Sequence, residues 1–208
     1  MTNLAQPELA AIEFHGMTRS TFLVRSAVAA GAAYGIGAVS PFVGRALAQS
    51  GDVEILNFAL TLEYLETEFY DRALKEVGGM SADVKKLAAE IRDNEQEHVD
   101  ALTAAVKGAG GKPAAKPAFD FGGAFASEAA FLKLATTLED TGVSAYNGAA
   151  PAIQSADVLG AAGAIVQVEA RHAALIRLQR GLSPSPRSFD GTLDMEAVLA
   201  AVKPLIKA

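Results

Sequence analysis

The sequence contains no cysteine and no tryptophan. Without cysteine there can be no disulfide, no zinc ribbon, no rubredoxin-type iron centre and no thiol catalysis. The same absence leaves the redox compartment open, since a cysteine-free chain survives anywhere. Aromatic residues make up only 7%. Runs of β-branched residues are rare, whereas alanine and leucine are frequent, and that balance favours helix over sheet. Charge is also unconcentrated. There are 18 basic and 24 acidic residues, net −6, with no basic stripe and no nucleic-acid motif, so a nucleic-acid partner is not expected. What is present is a half-hydrophobic chain of 208 residues, enough for one domain with a real core and an additional segment.

The additional segment is residues 1–48. Thr18-Arg19-Ser20-Thr21-Phe22-Leu23-Val24 precedes an uncharged, Ala-, Gly- and Val-rich stretch from Ser26 to Val43, and Arg45-Ala46-Leu47-Ala48-Gln49 follows. A positive flank, an apolar segment and an A-x-A sequence have the layout of an export signal, with cleavage expected after Ala48. The region around Arg19 resembles a twin-arginine signal (Arg-Arg-x-Phe-Leu), with Ser20 where the second arginine would stand. Met17 lies where such a signal would start. The alternative is an uncleaved anchor, a membrane tether through residues 22–47. Those 18 uncharged residues from 26 to 43 nearly suffice to span a bilayer, although they are poor in Leu and Ile and contain Pro41. Export to the periplasm, the envelope or the medium is the expected localisation. Cleaved at Ala48, the chain would carry 15 basic and 22 acidic residues.

The rest of the chain is written twice. Leu62-Glu63 is followed by Tyr70, and Leu138-Glu139 by Tyr146, with the same interval of seven from Glu to Tyr. Ser81-Ala82-Asp83-Val84 recurs as Ser155-Ala156-Asp157-Val158. From each serine a Glu follows at +14 and a His at +17: Glu95 and His98, then Glu169 and His172. Such a duplication predicts pseudo-two-fold symmetry. Each half reads as a helical hairpin, spanning residues 52–107 and 128–180. The expected helices are 52–77, 82–107, 128–148 and 156–180, each with one apolar stripe at 3,4 spacing. Leu56, Leu60, Glu63, Thr67, Tyr70 and Leu74 form the first stripe, and Leu87, Ile91, Glu95, His98 and Leu102 the second. Ser81 and Ser155 are natural N-caps; Gly78-Gly79 and Asn147-Gly148 are expected to end the helices before them. Residues 107–127, rich in Gly, Ala, Pro and Lys, are too long for a tight turn and read as a crossover along a four-helix bundle. A tail, 183–208, carries a short helix over 195–206. The fold class is therefore all-α, with a bundle over 52–182.

Six polar residues occupy stripe positions that call for Leu or Ile: Glu63, Glu95, His98, Glu139, Glu169 and His172. An unpartnered buried carboxylate is costly, and four together repel one another as well. No Lys or Arg on these stripes compensates, but two divalent cations would. Glu-x-x-His places an oxygen and a ring nitrogen one helical turn apart on one face. One such motif on each of two helices, with one Glu from each of the other two, is the ligand set of dinuclear carboxylate bundles. Hard oxygens with imidazole and no thiolate suit two iron or manganese ions. Tyr70 and Tyr146 are expected to pack in the core and hydrogen-bond ligand carboxylates. Glu66, Glu68, Asp93 and Glu97 are expected to be solvated, with Glu66, one turn from Glu63, the candidate for an extra ligand. His15, in the leader, has no assigned role.

At these residues the sequence resembles the ferritin-like domain family, in particular the exported bacterial and desiccation-related group. The matching text is Leu56-Asn57-Phe58-Ala59-Leu60 through Tyr70, Glu95-Gln96-Glu97-His98, Phe119-Asp120-Phe121, Leu138-Glu139-Asp140-Thr141-Gly142-Val143 through Tyr146, Glu169-Ala170-Arg171-His172, and Ser188-Phe189-Asp190 to Pro204. The resemblance implies a ferritin-like four-helix bundle, a dinuclear iron or manganese site and ligand roles for the six residues. The expected assignment has Glu95 and Glu169 bridging the ions, Glu63 and His98 capping one, and Glu139 and His172 the other. Three functions follow as expectations. One is redox or oxidative-stress chemistry with dioxygen or peroxide, of the oxidase, peroxidase or di-manganese catalase type. The second is metal binding without turnover, and the third a structural, stress-protective envelope module. Homo-oligomerisation is compatible with all three.

Overall fold

The computed structural model describes the backbone of residues 41–207 and the side chains from Gly51 onward. Residues 45–208 cluster as one compact unit. Among the described residues five α-helices follow in order: α1 (Pro41–Glu76), α2 (Ala82–Gly108), α3 (Glu128–Ala149), α4 (Ala156–Gln179) and α5 (Met195–Val202). No strand occurs among the described residues; the one β-type contact is an isolated bridge between Phe119 and Ile206. The protein is thus all-α. Most of the segment expected to be an export signal or anchor, residues 1–40 of 1–48, lies outside the described residues. Among the described residues no helix is long and apolar enough to cross a membrane.

Helix boundaries follow the expected ones closely, with two departures. α1 begins at Pro41 rather than near 52. Proline is well tolerated in a first helical turn, and Ala, Leu and Val carry the helix onward without a breaker strong enough to stop it. The backbone is helical through Ala46-Leu47-Ala48, the expected cleavage point. At the other departure, Asn147-Gly148 does not end α3, which runs to Ala149 and tightens into a 3₁₀ turn over Ala150–Ala152. Gly148 serves close packing instead. A Cβ there would stand 1.9 Å from the carbonyl oxygen of Leu193, so the tail can lie against α3 only because the side chain is absent.

Caps and cross-ties fix the hairpins. The hydroxyls of Ser81 and Ser155 accept from Val84 N and Val158 N at the starts of α2 and α4, and Ser127 does the same for α3 through Ala130 N. Glu128 at the start of α3 accepts from the backbone N–H of Ser81 at 2.5 Å, tying the two hairpins at one end. Buried Asp52 of α1 accepts from Gln154 N and Ser155 N, both at 2.8 Å, tying them at the other. The crossover starts against α1, where Asn57 accepts from Ala114 N and donates to Lys112 O. It ends under the tail, where Asp120 N donates to Leu205 O and Lys207 N to Ala118 O.

The core falls into two hydrophobic clusters. One gathers around Phe69, whose ring lies 5.2–5.6 Å from Tyr70, Phe121, Phe125 and Phe131. The crossover therefore supplies aromatic packing, and Val198 and Val202 of α5 join the same cluster. The other comprises Leu56, Leu60, Val99, Leu102, Val106, Tyr146 and Ile165. Tyr70 belongs to the first cluster and Tyr146 to the second, and the two hydroxyls mark the polar layer between them.

Candidate metal centre

Each of the four long helices brings a carboxylate to that layer: Glu63 from α1, Glu95 from α2, Glu139 from α3 and Glu169 from α4, all 0% exposed. The i,i+3 spacing sets His98 beside Glu95 on α2 and His172 beside Glu169 on α4, and both rings are buried. The six residues singled out in the sequence are therefore brought together. They form two groups, Glu63/Glu95/His98/Glu169 and Glu95/Glu139/Glu169/His172, and within each group the donor atoms lie within 4.8 Å of one another.

The atoms divide in a particular way. His98 Nδ1 lies 3.3 Å from Glu63 Oε2, 3.1 Å from Glu95 Oε2 and 3.0 Å from Glu169 Oε1. His172 Nδ1 lies 2.9 Å from Glu95 Oε1, 3.6 Å from Glu139 Oε2 and 3.8 Å from Glu169 Oε2. Glu95 and Glu169 thus offer one oxygen to each group, while Glu63 and Glu139 belong to one group each. Donors at about 2.1 Å from a common ion and at right angles to one another are separated by about 3.0 Å. The separations around His98 Nδ1 match that edge.

Tyrosines hold the two unshared carboxylates from the opposite half. The Tyr146 hydroxyl of α3 donates to Glu63 Oε1 at 2.5 Å, and the Tyr70 hydroxyl of α1 donates to Glu139 Oε1. Burial, with the adjacent carboxylates, pushes both phenols well above their ordinary range, so they remain donors. Each of these bonds leaves the other oxygen, Glu63 Oε2 or Glu139 Oε2, turned to its group.

Electrostatics show what the cluster lacks. Burial, reinforced by Glu169 and Glu95, pushes Glu63 well up. Burial raises Glu139 to about 8, with His172 opposing and Glu169 and Glu95 adding to the rise. Burial would lower the histidines, yet the surrounding carboxylates raise both to about 12. Burial would raise Glu95, but His172 and His98 bring it to about 2. Protons therefore neutralise the protein-only cluster. Even so, Glu95 Oε1, Glu139 Oε2, both oxygens of Glu169 and His172 Nδ1 are buried without a hydrogen bond. Close approach without satisfied hydrogen bonds, among hard donors gathered in two groups, is an arrangement that could hold metal ions.

Glu66 departs from its expected solvated setting. It is 3% exposed and its Oε1 has no hydrogen bond, whereas Asp93 and Glu97 are exposed and Glu68 pairs with Lys116 at 2.9 Å. Burial raises Glu66 well up, and Glu169 and Glu139 raise it further. The sequence signal for its burial was its repeat counterpart. Position 66 corresponds to Gly142: a Cβ at 142 would stand 3.4 Å from Glu66 Oε1 and 3.6 Å from Glu169 Oε2, in ordinary contact, so a side chain larger than alanine there would press on both carboxylates. Asn94 escaped the sequence reading altogether. Its side-chain amide lies 3.1 Å from His172 Nε2. Access runs past this residue: a cleft of 340 Å³ lined by Asn94, Glu97, His98, Val168, Arg171, His172 and Leu175 opens on the histidines.

The ferritin-like domain model matches residues 51–182. The chain belongs to the ferritin-like domain family. Among solved structures, a conserved hypothetical protein from Mycobacterium tuberculosis is similar at 20% identity and a TM-score of 0.59, covering 68% of this chain and 99% of that one. That likeness concerns the fold. No curated protein matches the chain. In this ferritin-like bundle the matched segment contains all six donors, both tyrosines, Glu66 and Asn94.

Proposed function

We propose that the protein binds two divalent ions, iron or manganese, and uses them in redox chemistry on dioxygen or peroxide. The observation that carries this reading is the division of Glu95 and Glu169, whose two oxygens face different donor groups. Glu63 and His98 would complete one ion's ligands, and Glu139 and His172 the other's. When bound, such a pair supplies two adjacent one-electron centres able to exchange electrons with dioxygen or peroxide. The chain's own groups do the rest. The carboxylates and imidazoles hold the charge, and Tyr70 and Tyr146 keep Glu139 and Glu63 oriented. The two hydrophobic clusters exclude bulk water from the layer. The histidine cleft and an apolar cavity of 50 Å³ against Tyr146 suit small reactants. Export remains part of the proposal, carried by residues 18–48 alone; N-terminal sequencing of protein from its own host tests it, and a retained Met1 in soluble cytosol would end it.

The first experiment is elemental analysis of protein purified from its own host without chelators, followed by peroxide- and ferrous-iron-consumption assays. About two iron or manganese ions per chain, and turnover lost in Glu95→Ala, are expected. Two ions without turnover would leave a metal-binding or structural module. A chain that neither carries nor takes up metal would overturn the proposal.

A further inference from the structure

The duplicated halves are not chemically equivalent at the polar layer. The second helix of each half corresponds at an offset of 74 residues, and the first at 76, as the ligand pairs Glu95/Glu169 and Glu63/Glu139 show. Among the positions near the ligands at which the halves differ, two place an additional polar group at the layer. Asn94 of α2 corresponds to Val168 of α4, and Glu66 of α1 corresponds to Gly142 of α3. Both additional polar groups lie toward the Glu139/His172 side: Asn94 against the histidine, and Glu66 beside Glu169 but outside the converging donors. The Asn94 amide meets His172 Nε2 at 3.1 Å. Val168, in the matching place, has no side-chain atom able to hydrogen-bond His98. Glu66 Oε1, buried and without a hydrogen bond, shares the space over Gly142 with Glu169 Oε2, the oxygen that faces His172.

Resting on the two-ion reading, we infer that the two metal positions are unequal: the Glu139/His172 position is the tighter, strengthened by Asn94 on His172 and by Glu66 as a further carboxylate donor. With His172 Nδ1 turned to the carboxylates, Nε2 carries the ring proton, and Asn94 accepts it through its amide oxygen after a half-turn of the amide. That bond fixes the ring and makes Nδ1 a better donor. Glu66 adds a fifth carboxylate to the centre, reaching it over Gly142, where no side chain stands between it and Glu169. The Glu63/His98 position has neither aid.

The test is a titration of metal-free full chain with Mn²⁺ alone, followed by calorimetry and by electron paramagnetic resonance. An isolated Mn²⁺ gives a six-line signal that spin coupling to a second ion broadens or removes. The expected wild-type result is two resolved steps, with the six-line signal growing to one equivalent and declining toward two. Glu66→Gln, which preserves side-chain volume, and Asn94→Ala should each weaken the first step by about 10-fold or more and leave the second nearly unchanged. Val168→Asn should strengthen the second step. Circular dichroism on each variant establishes that the bundle is folded, and a folded variant with both steps intact overturns the assignment of that residue. Two ions entering wild type in one unresolved step, with no isolated-ion signal, overturn the inequality and leave the dinuclear reading standing. Wild type that takes up no Mn²⁺ overturns both.

Discussion

At the scale of single residues, the tyrosines are the sharpest probes of the layer. Each donates to a carboxylate that also faces a donor group, so its removal frees a charge-bearing ligand in a buried setting. Tyr70→Phe and Tyr146→Phe should each cost about 1–3 kcal/mol of unfolding free energy and weaken metal uptake about 10-fold or more. Chemical denaturation and a metal titration of the same variants check both, and an unchanged affinity would mean that the hydroxyls serve packing alone. The six candidate ligands were legible in the sequence because an apolar stripe buries whatever stands on it, and charged groups buried at fixed, repeated offsets need a shared partner of opposite charge. Glu66 was less legible. At i+3 from Glu63 it is also a plausible solvent-facing position, and the small residue it faces, Gly142, lies on another helix. Asn94 was not legible, because a surface polar residue beside a ligand carries no periodic signal and its partner lies on another helix.

At the scale of elements, local chemistry specified most boundaries and long-range packing specified the rest. Ser81 and Ser155 were readable as caps, and each caps its helix. Ser81→Ala and Ser155→Ala should each cost about 1 kcal/mol, measured by urea denaturation. Gly148 was misread as a helix stop because glycine has two uses, and the one at work here depends on a tail segment 45 residues later in the sequence. Gly148→Ala sets a methyl against the Leu193 carbonyl and should displace the tail while the four long helices stay folded. Limited trypsin digestion should then cut after Arg187 much faster than in wild type, with helicity nearly unchanged. An unaltered cleavage rate would show that the backbone shifts at little cost. The crossover was recognised by length and composition, but not its role in the core. Phe119, Phe121 and Phe125 are spaced too irregularly for any helix or strand template, yet all three are buried.

At the scale of the whole molecule, the buried charge makes stability depend on pH in opposite senses with and without metal. In the metal-free protein, Glu139 is raised to about 8, and Glu63 and Glu66 are raised well above the carboxylate range. The folded state then holds protons the unfolded chain has released, so stability falls as pH rises through about 4.5 to 8. The histidines, raised to about 12, contribute fully below the ordinary imidazole range, and that contribution is lost on the way up to about 12. Glu95, lowered to about 2, acts in the reverse sense: its contribution holds above the ordinary carboxylate range and disappears in acid. The metal-free chain should therefore melt highest at about pH 4.5, and lower as pH moves in either direction. Metal ions replace those protons, so the gap in Tm between loaded and chelated protein should widen from about pH 5 to pH 8. A gap that stays constant across that range, in protein shown to start loaded, would count against the centre. The distribution of donors also bears on how such a chain can arise. Each group draws on three helices and on both halves, so one hairpin by itself supplies three of the four residues of one group and a single residue of the other. A lone hairpin of this kind could make the layer only by pairing with a copy of itself, and every substitution would then appear on both sides of the axis. A glutamate at position 66 would face its own duplicate across the centre. Joining the halves in one chain removes that constraint, since the partner is held at high effective concentration whatever either half contributes. Glutamate can then sit opposite glycine, and asparagine opposite valine. Covalent fusion is what permits a symmetric architecture to present two donor groups in two different environments.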